Sequence, residues 1–476
     1  MECEMIARCY DICRNIFCGI TPTPKAGTSS FEVMGIRDHL LTQPKLLNYL
    51  NSLEEQKKDE FAEYLLKFDF DHLAEAFKSS QNSTLPALED ISPIGPENFV
   101  DRSELTDIEL NRLFNLGLKA VSEGKVAALV LAGGQASRLG SDHPKGVLPL
   151  GTGLHSKTDS LLFIQAAQIR YLEDMAKKKF PSSNKSTITW LIMTSRSTDS
   201  DTRAHLKDVI EETGLCSDQV IIFTQDELPA FSLDGEALLA EPYRLVTSPD
   251  GHGGLYNAIS PLLPLLEQKG LEFIQVYNVD NILCKVPDLY MVGFAIEQKA
   301  DCVAKVIEKI NPSEAVGHVC LEKGKVRVLE YSEISFELAE ARDSDGKLIL
   351  CAGSISIHLL SLNFLRIACL PENIKLMPLH AARKQINYLE IGKDSGDYLK
   401  RKEATAIKLE RFVFDAFHHS KNFLVWQVLA SEEFSPLKNA DSTGKDCLKT
   451  CLADFNGING KWIKEACLNI LEKKKI

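Results

Sequence analysis

The residues richest in chemistry stand together in LAGGQASRLGSDHPKG, residues 131–146, where Gly133, Gly134, Gly140 and Gly146 accompany Arg138 and Lys145. Glycine lets the backbone approach a phosphate closely and aim N–H groups at it, while Arg supplies a forked cation and Lys a point charge. That combination suits a polyphosphate, although a glycine-rich turn after a strand is also a plain tight turn. It is neither a Walker A loop, because G-x-x-x-x-G-K-[ST] is absent, nor a G-x-G-x-x-G fingerprint. In VYNVDNI, residues 276–282, Asp280 follows a strand-like run. A carboxylate there suits a divalent cation that bridges phosphates, or simply caps a turn. Gln225 in FTQDELPA is either a solvated loop residue or an amide that offers a donor and an acceptor together.

The surrounding pattern has to position these groups. VAALVL at Val126–Leu131 is a short continuous apolar run that stops at the glycines, and similar runs recur at residues 189–193, 220–223 and 273–276, with helix-length stretches between them. Buried strands alternating with helices predict an α/β fold with a mainly parallel sheet covered on both faces, and ligands at the carboxyl ends of its strands. Phe61, Tyr64, Leu65 and Phe68 recur at helical spacing and predict a packing stripe, and a further helix is expected over residues 109–123. Residues 19–30 and 79–96 read as loops, and residues 408–417 as a helix followed by a strand at 423–429. The expected organisation is an N-terminal extension and linker (1–30), a helical N-terminal domain (31–124), a catalytic domain (125–400) and a C-terminal region (401–476).

Composition narrows the function classes. The 476 residues exceed one ordinary domain, and 44% hydrophobic with 25% charged residues is the balance of a packed soluble protein. A net charge of -12 argues against nucleic acid and anionic lipid as partners. No apolar stretch approaches the ~20 residues of a membrane span. Glu2, Glu4, Arg8, Asp11 and Arg14 interrupt the opening where a signal peptide needs an apolar core, so a cytoplasmic place is expected. The 13 cysteines, including Cys3, Cys9, Cys13 and Cys18, contain no C-x-x-C pair and read as reduced thiols.

Taken whole, the 131–146 string resembles the signature of eukaryotic UDP-N-acetylhexosamine pyrophosphorylases, and the resemblance runs from about residue 46 to 441. It implies a Rossmann-like nucleotidyltransferase sheet and transfer of a uridylyl group from UTP to N-acetylhexosamine 1-phosphate, giving UDP-N-acetylglucosamine (or UDP-N-acetylgalactosamine) and pyrophosphate. By position it implies that Gly133, Gly134, Arg138 and Lys145 hold the triphosphate, and that Pro249, Gly251, Gly253 and Gly254 of SPDGHGGLY bring backbone against the uridine. It assigns Gln225 to the uracil edge and Asp280 to Mg2+ (or Mn2+). VGHVCLEKGKVRVLEYSEI resembles the family's sugar-site stretch, with Gly317 and Glu330 at the contacting positions; the plain alternative for Glu330 is an ion pair with Lys323 or Lys325. KLERFVFD and FSPLKNAD resemble motifs whose lysines, Lys408 and Lys438, reach the phosphates.

The chain departs from the family pattern at Ala136 and His252, where Gly and Asn are usual, which predicts a stiffer or displaced phosphate loop and puts one uridine contact at stake. Ser354 in AGSISIHLL stands where the sugar-binding Asn is expected, and the C-terminal β-rich domain is expected to be shortened or replaced by a helical, Lys-rich tail. UDP-hexose synthesis, or a catalytically silent nucleotide-sugar binder, are the alternatives these departures leave. Retention of Arg138, Lys145, Asp280 and Lys438 speaks against the silent one.

Overall fold

Period-two burial builds the centre of the molecule. Every side chain of Val126–Leu131 is buried, yet Val126, Ala128 and Val130 belong to one apolar cluster and Ala127, Leu129 and Leu131 to another. Trp190 and Ile192 divide from Leu191 and Met193 in the same way. A strand with two buried faces needs a layer on each side, which is why its sequence is apolar without alternation. The helices Asp107–Ser122, Leu161–Lys179, Leu289–Gln298 and Lys461–Lys473 supply the first cluster, and Leu255–Ile259, Leu263–Gln268 and Leu362–Ala368 the second.

The computed structural model describes residues 30–81, 85–391 and 399–473. The expected N-terminal extension, with Cys3, Cys9, Cys13 and Cys18, lies outside them. The described cysteines are free thiols. The strands in chain order are β1 (Ile91–Ser92), β2 (Phe99–Asp101), β3 (Val126–Leu131), β4 (Thr189–Thr194), β5 (Val220–Thr224), β6 (Glu227–Pro229), β7 (Leu239–Glu241), β8 (Arg244–Leu245) and β9 (Thr247–Pro249). They continue with β10 (Phe273–Asn278), β11 (Cys302–Glu308), β12 (Gly317–Glu322), β13 (Lys325–Leu329), β14 (Ala352–Ser361), β15 (His380–Ile391), β16 (Leu399–Glu410) and β17 (Phe423–Val428). The main sheet runs β2-β17-β11-β14-β10-β3-β4-β5. All these pairings are parallel except those of β14, which is antiparallel to both β10 and β11. The mainly parallel sheet with helices on both faces is thus the observed fold. β12 joins β14 through Gly317 opposite Ser354, and β13 follows β12 as a hairpin.

The chain forms two compact units. Among the described residues, the larger holds those of 76–230, 247–385 and 405–473; the smaller holds those of 30–75, 231–246, 386–391 and 399–404. These limits correct the sequential division at residues 124 and 400. The helix Asp107–Ser122, closed at its start by a Thr106–Glu109 capping box, packs on the main sheet, and β17 lies inside that sheet. In the smaller unit Gln43 is buried, donating to Gly235 O and accepting from Ala237 N, and Tyr49 stacks on Tyr243. A local hydrophobic pattern shows what packs, but not which distant segment it packs against. Phe68 also lies beyond the helix Glu55–Leu65, whose buried residues are Phe61 and Leu65.

Among the described residues, no helix is long and apolar enough to cross a membrane.

Candidate active site

The carboxyl ends of β3, β4, β5 and β10 deliver the loops that meet here. After β3 the chain turns through Gly133, whose carbonyl accepts from Ser195 Oγ at 2.8 Å just past β4. Gln225, first after β5, is buried, and its Nε2 donates to Asp250 Oδ1 (3.0 Å) and Gly251 O (2.9 Å). Both amide protons are therefore committed. Gln225 presents its Oε1 acceptor alone, which corrects the expectation of a paired donor and acceptor and rules out the solvated reading. Gly133 has to be glycine for this contact, since a Cβ there would fall closer than 3.0 Å to that oxygen.

Asp250 supports the arrangement from beneath and had no role in the sequence reading. Burial pushes its carboxyl up to about 7, against the Gln225 hydrogen bond and the Arg411 guanidinium at 3.7 Å. Gly251, at φ 87°, turns the loop so that Gly253 N donates to Arg411 O while Arg411 N donates to Asp250 O. That pairing keeps residues 410–412 extended, so Lys408 sits near the end of β16 and a short 3-10 helix starts only at Val413, in place of the helix expected from Lys408 onward. His252 accepts from Val413 N at 2.9 Å through Nδ1 and stacks on Phe412. Burial lowers its pKa to about 4, so the ring is neutral with its proton on Nε2.

A cavity of about 310 Å³ opens over these groups, lined by Gly133, Gly134, Gln225, Pro249, Gly251, His252 and Lys408 among others. Gly253 and Gly254 are not among its lining residues. They are buried where a Cβ would meet the Phe412 backbone and the Asp250 carboxylate, so their smallness serves packing of the loop.

A second cavity, of about 330 Å³, is lined by residues 135–139, Lys145, Asp280 and Lys438, and Lys145 and Asp280 line both. Lys145 Nζ lies 3.2 Å from Asp280 Oδ2. Arg138 is exposed and makes no ion pair among the described residues. Ala136 is buried, and its φ of -90° is not one that demands glycine.

Asn281 brings Lys438 to this place. Its buried amide donates to Glu433 O (2.7 Å) and accepts from Ser435 N and Leu283 N, while Leu437 N donates to Asp280 O (2.9 Å). The Asp280 turn and the 433–438 segment are thereby one piece, although sequence reading left Asn281 without a role. Below them Lys305, Asp288 and Glu433 form a wholly buried charge cluster, extended by Lys285 and Arg102.

The third group gathers on β12 and β14. Gly317 faces buried Ser354 across the strands, and a Cβ on Gly317 would touch Glu330 Oε1 at 3.4 Å. Burial and the nearby Glu333 raise the Glu330 carboxyl, opposed by His380 and Lys438. Lys323 pairs with Asp90 at 3.2 Å, and no ion pair of Glu330 with Lys323 or Lys325 is formed.

A divalent cation has no protein cage here: among the described residues no group of three or more His, Cys, Asp or Glu is placed to hold one. Asp280 is the one carboxylate lining the second cavity, and its Oδ1 makes no hydrogen bond among the described residues. Mg2+ held by one carboxylate, substrate phosphates and water fits that donor set.

Residues 68–451 match the family described as UTP–glucose-1-phosphate uridylyltransferase. A probable UDP-N-acetylglucosamine pyrophosphorylase of Caenorhabditis elegans is 41% identical over 432 residues, 90% of this chain and 88% of its own length. The chain belongs to the UDP-N-acetylhexosamine pyrophosphorylase family. Within that family, the UDP-N-acetylglucosamine pyrophosphorylase of Saccharomyces cerevisiae is 38% identical over 393 residues, 82% of this chain and 80% of that one. The crystal structure of the Trypanosoma brucei UDP-N-acetylglucosamine pyrophosphorylase in complex with an inhibitor superposes with a TM-score of 0.76 at 27% identity, covering 95% of this chain and 92% of that chain.

Proposed function

We propose that the chain transfers the uridylyl group of UTP to an N-acetylhexosamine 1-phosphate, with UDP-N-acetylglucosamine and pyrophosphate as products. The observation that carries this reading is the junction at Lys145 and Asp280: one face opens to the glycine cradle and the Gln225 acceptor, the other to Arg138 and Lys438. Uracil offers an N3–H to Gln225 Oε1, and the backbone at Gly133, Gly134, Pro249 and Gly251 leaves room for a nucleoside. The triphosphate then lies across Lys145 and Arg138, with Lys408 and Lys438 at its flanks. The Glu330 carboxylate accepts hydrogen bonds from sugar hydroxyls beside Gly317 and Ser354, within electrostatic reach of Lys438.

A sugar-phosphate oxygen attacks the α phosphorus in line. The new P–O bond forms as the α–β bridging P–O bond breaks, and its electron pair leaves on pyrophosphate. No protein nucleophile is needed. The side chains hold two anions in register and stabilise the spreading charge, which is worth several kcal/mol (~3) for a well-placed donor. Mg2+ (or Mn2+) on Asp280 would supply further charge neutralisation when bound. The cytoplasmic setting expected from composition belongs to the same proposal.

A coupled pyrophosphate-release assay tests it, with UTP against GlcNAc 1-phosphate, GalNAc 1-phosphate and glucose 1-phosphate, each with and without EDTA. Turnover is expected with an N-acetylated sugar and to be abolished by EDTA. Faster turnover of glucose 1-phosphate would move the assignment to UDP-hexose synthesis, the alternative that the departure at Ser354 leaves open. Activity that survives EDTA would remove the cation from Asp280.

A further inference from the structure

His380, at the start of β15, lines neither cavity, yet its side chain, only 14% exposed, is clamped between two carboxylates. Its Nδ1 lies 2.6 Å from Glu333 Oε1 and its Nε2 3.1 Å from Asp415 Oδ2. A neutral imidazole has one N–H, so it would turn a lone pair towards one of these carboxylates; only the imidazolium satisfies both. Each partner ties His380 to the site. Glu333 N donates to Glu330 O at 2.8 Å, so the residue that grips His380 also closes the turn carrying Glu330. On the other side Asp415 Oδ2 accepts from Phe412 N at 2.9 Å, and the Phe412 ring stacks on His380 with centroids 4.1 Å apart.

We infer that His380 is a positioning residue for sugar-phosphate recognition: as an imidazolium clamped by Glu333 and Asp415 it holds the Glu330 turn against the 412–415 segment and supplies a cation within electrostatic reach of the Glu330 carboxylate. The inference rests on the assignment of Glu330 to the sugar. The charged and titratable groups around the clamp are Glu330, Glu333, Asp415, Lys438, Arg327, His252, His418 and Tyr256. Without the imidazolium, Glu330 would face the like charges of Glu333 and Asp415 with Lys438 as its remaining cation. The nucleotide loop meets the same segment through Gly253 N to Arg411 O and Val413 N to His252 Nδ1, two bonds in which the His380 side chain takes no part, so His380→Gln leaves them in place.

The test is a pH series of kcat/KM for GlcNAc 1-phosphate, with the UTP dissociation constant measured alongside in the absence of sugar phosphate. His380→Gln is expected to lower kcat/KM for the sugar phosphate by about tenfold or more at neutral pH, and to leave UTP affinity within about twofold. Its acid limb should move up by about half a pH unit or more, since Glu330 loses a cation. Glu333→Gln removes a like charge and should move the limb down. The double variant Glu333→Gln/His380→Gln should return towards the native profile, which a packing defect would not do. Should His380→Gln fail to fold, the direction of the Glu333→Gln shift carries the test: upward or no movement overturns the inference. Unchanged sugar-phosphate kinetics in folded His380→Gln overturn it as well, as do equal losses for both substrates with no movement of the limb. Glu330→Gln separates the layers. If it leaves sugar-phosphate kinetics intact, the Glu330 assignment fails and the inference with it; if it impairs them while His380→Gln does not, the inference fails alone.

Discussion

Gly133→Ala perturbs uracil recognition through a single methyl group. That methyl would sit closer than 3.0 Å to Gln225 Oε1. Gln225 cannot yield freely, because its Nε2 is held at 3.0 Å by Asp250 Oδ1 and at 2.9 Å by Gly251 O. To make room, the side chain has to give up both hydrogen bonds, at about 1 kcal/mol each in net stability. The fold tolerates that loss, but the nucleotide loses the acceptor for its N3–H, at about 1–3 kcal/mol when a buried donor is left unpaired. Uridine and UTP should then bind roughly fivefold to 150-fold more weakly. Calorimetric titration with both ligands measures this, and thermal melting checks the fold. Gly134→Ala is the control: a Cβ there meets nothing within 4 Å, so uridine affinity should be kept and any loss should appear with the triphosphate alone. If folded Gly133→Ala bound uridine as tightly as the native chain, the assignment of Gln225 to the uracil edge would be wrong.

Lys145→Ala should lower kcat/KM by about a hundredfold or more in the pyrophosphate-release assay, with little change in melting temperature, because the lysine lines an open cleft and pairs with Asp280 alone. Ser354→Asn restores a donor and an acceptor beside Gly317, and kcat/KM for GlcNAc 1-phosphate should rise by roughly tenfold with KM for UTP unaltered; unchanged or lower turnover would mean the site compensates elsewhere. Lys305→Met strands Asp288 in the interior and takes one of three cations from Glu433, so denaturant unfolding should show a loss of about 3–5 kcal/mol. His380 gives stability a basic limit. Burial opposes its charge, but Asp415 and Glu333 raise its pKa to about 9. Its contribution is therefore full below the ordinary histidine value of about 6.5 and is lost as pH rises through about 9, up to about 3 kcal/mol in all. His380→Gln should flatten urea stability between those limits, and an unflattened curve would show that His380 is not the imidazolium of the clamp.

Much of this protein can be read along the chain. Val126–Leu131 announces a strand buried on both faces because both of its faces are apolar, and the glycines and cations after it announce a phosphate loop because few other uses combine them. Fold and family follow from such local patterns. The working geometry does not, because it depends on partners far apart in sequence. Lys145 meets Asp280 across 135 residues, and Gln225 loses both amide protons to a loop 25 and 26 residues on. Lys408 lies on a strand because residues 250–253 bond the backbone at Arg411, which no helical periodicity in KLERFVFD could reveal. Asn281, Asp250 and His380 are ordinary residues in one dimension, and acquire meaning only when folding buries the first two and closes two carboxylates around the third. Burial removes water as a partner, so each polar group has to find another inside the protein, and the chain crossings of the sheet decide which one it finds.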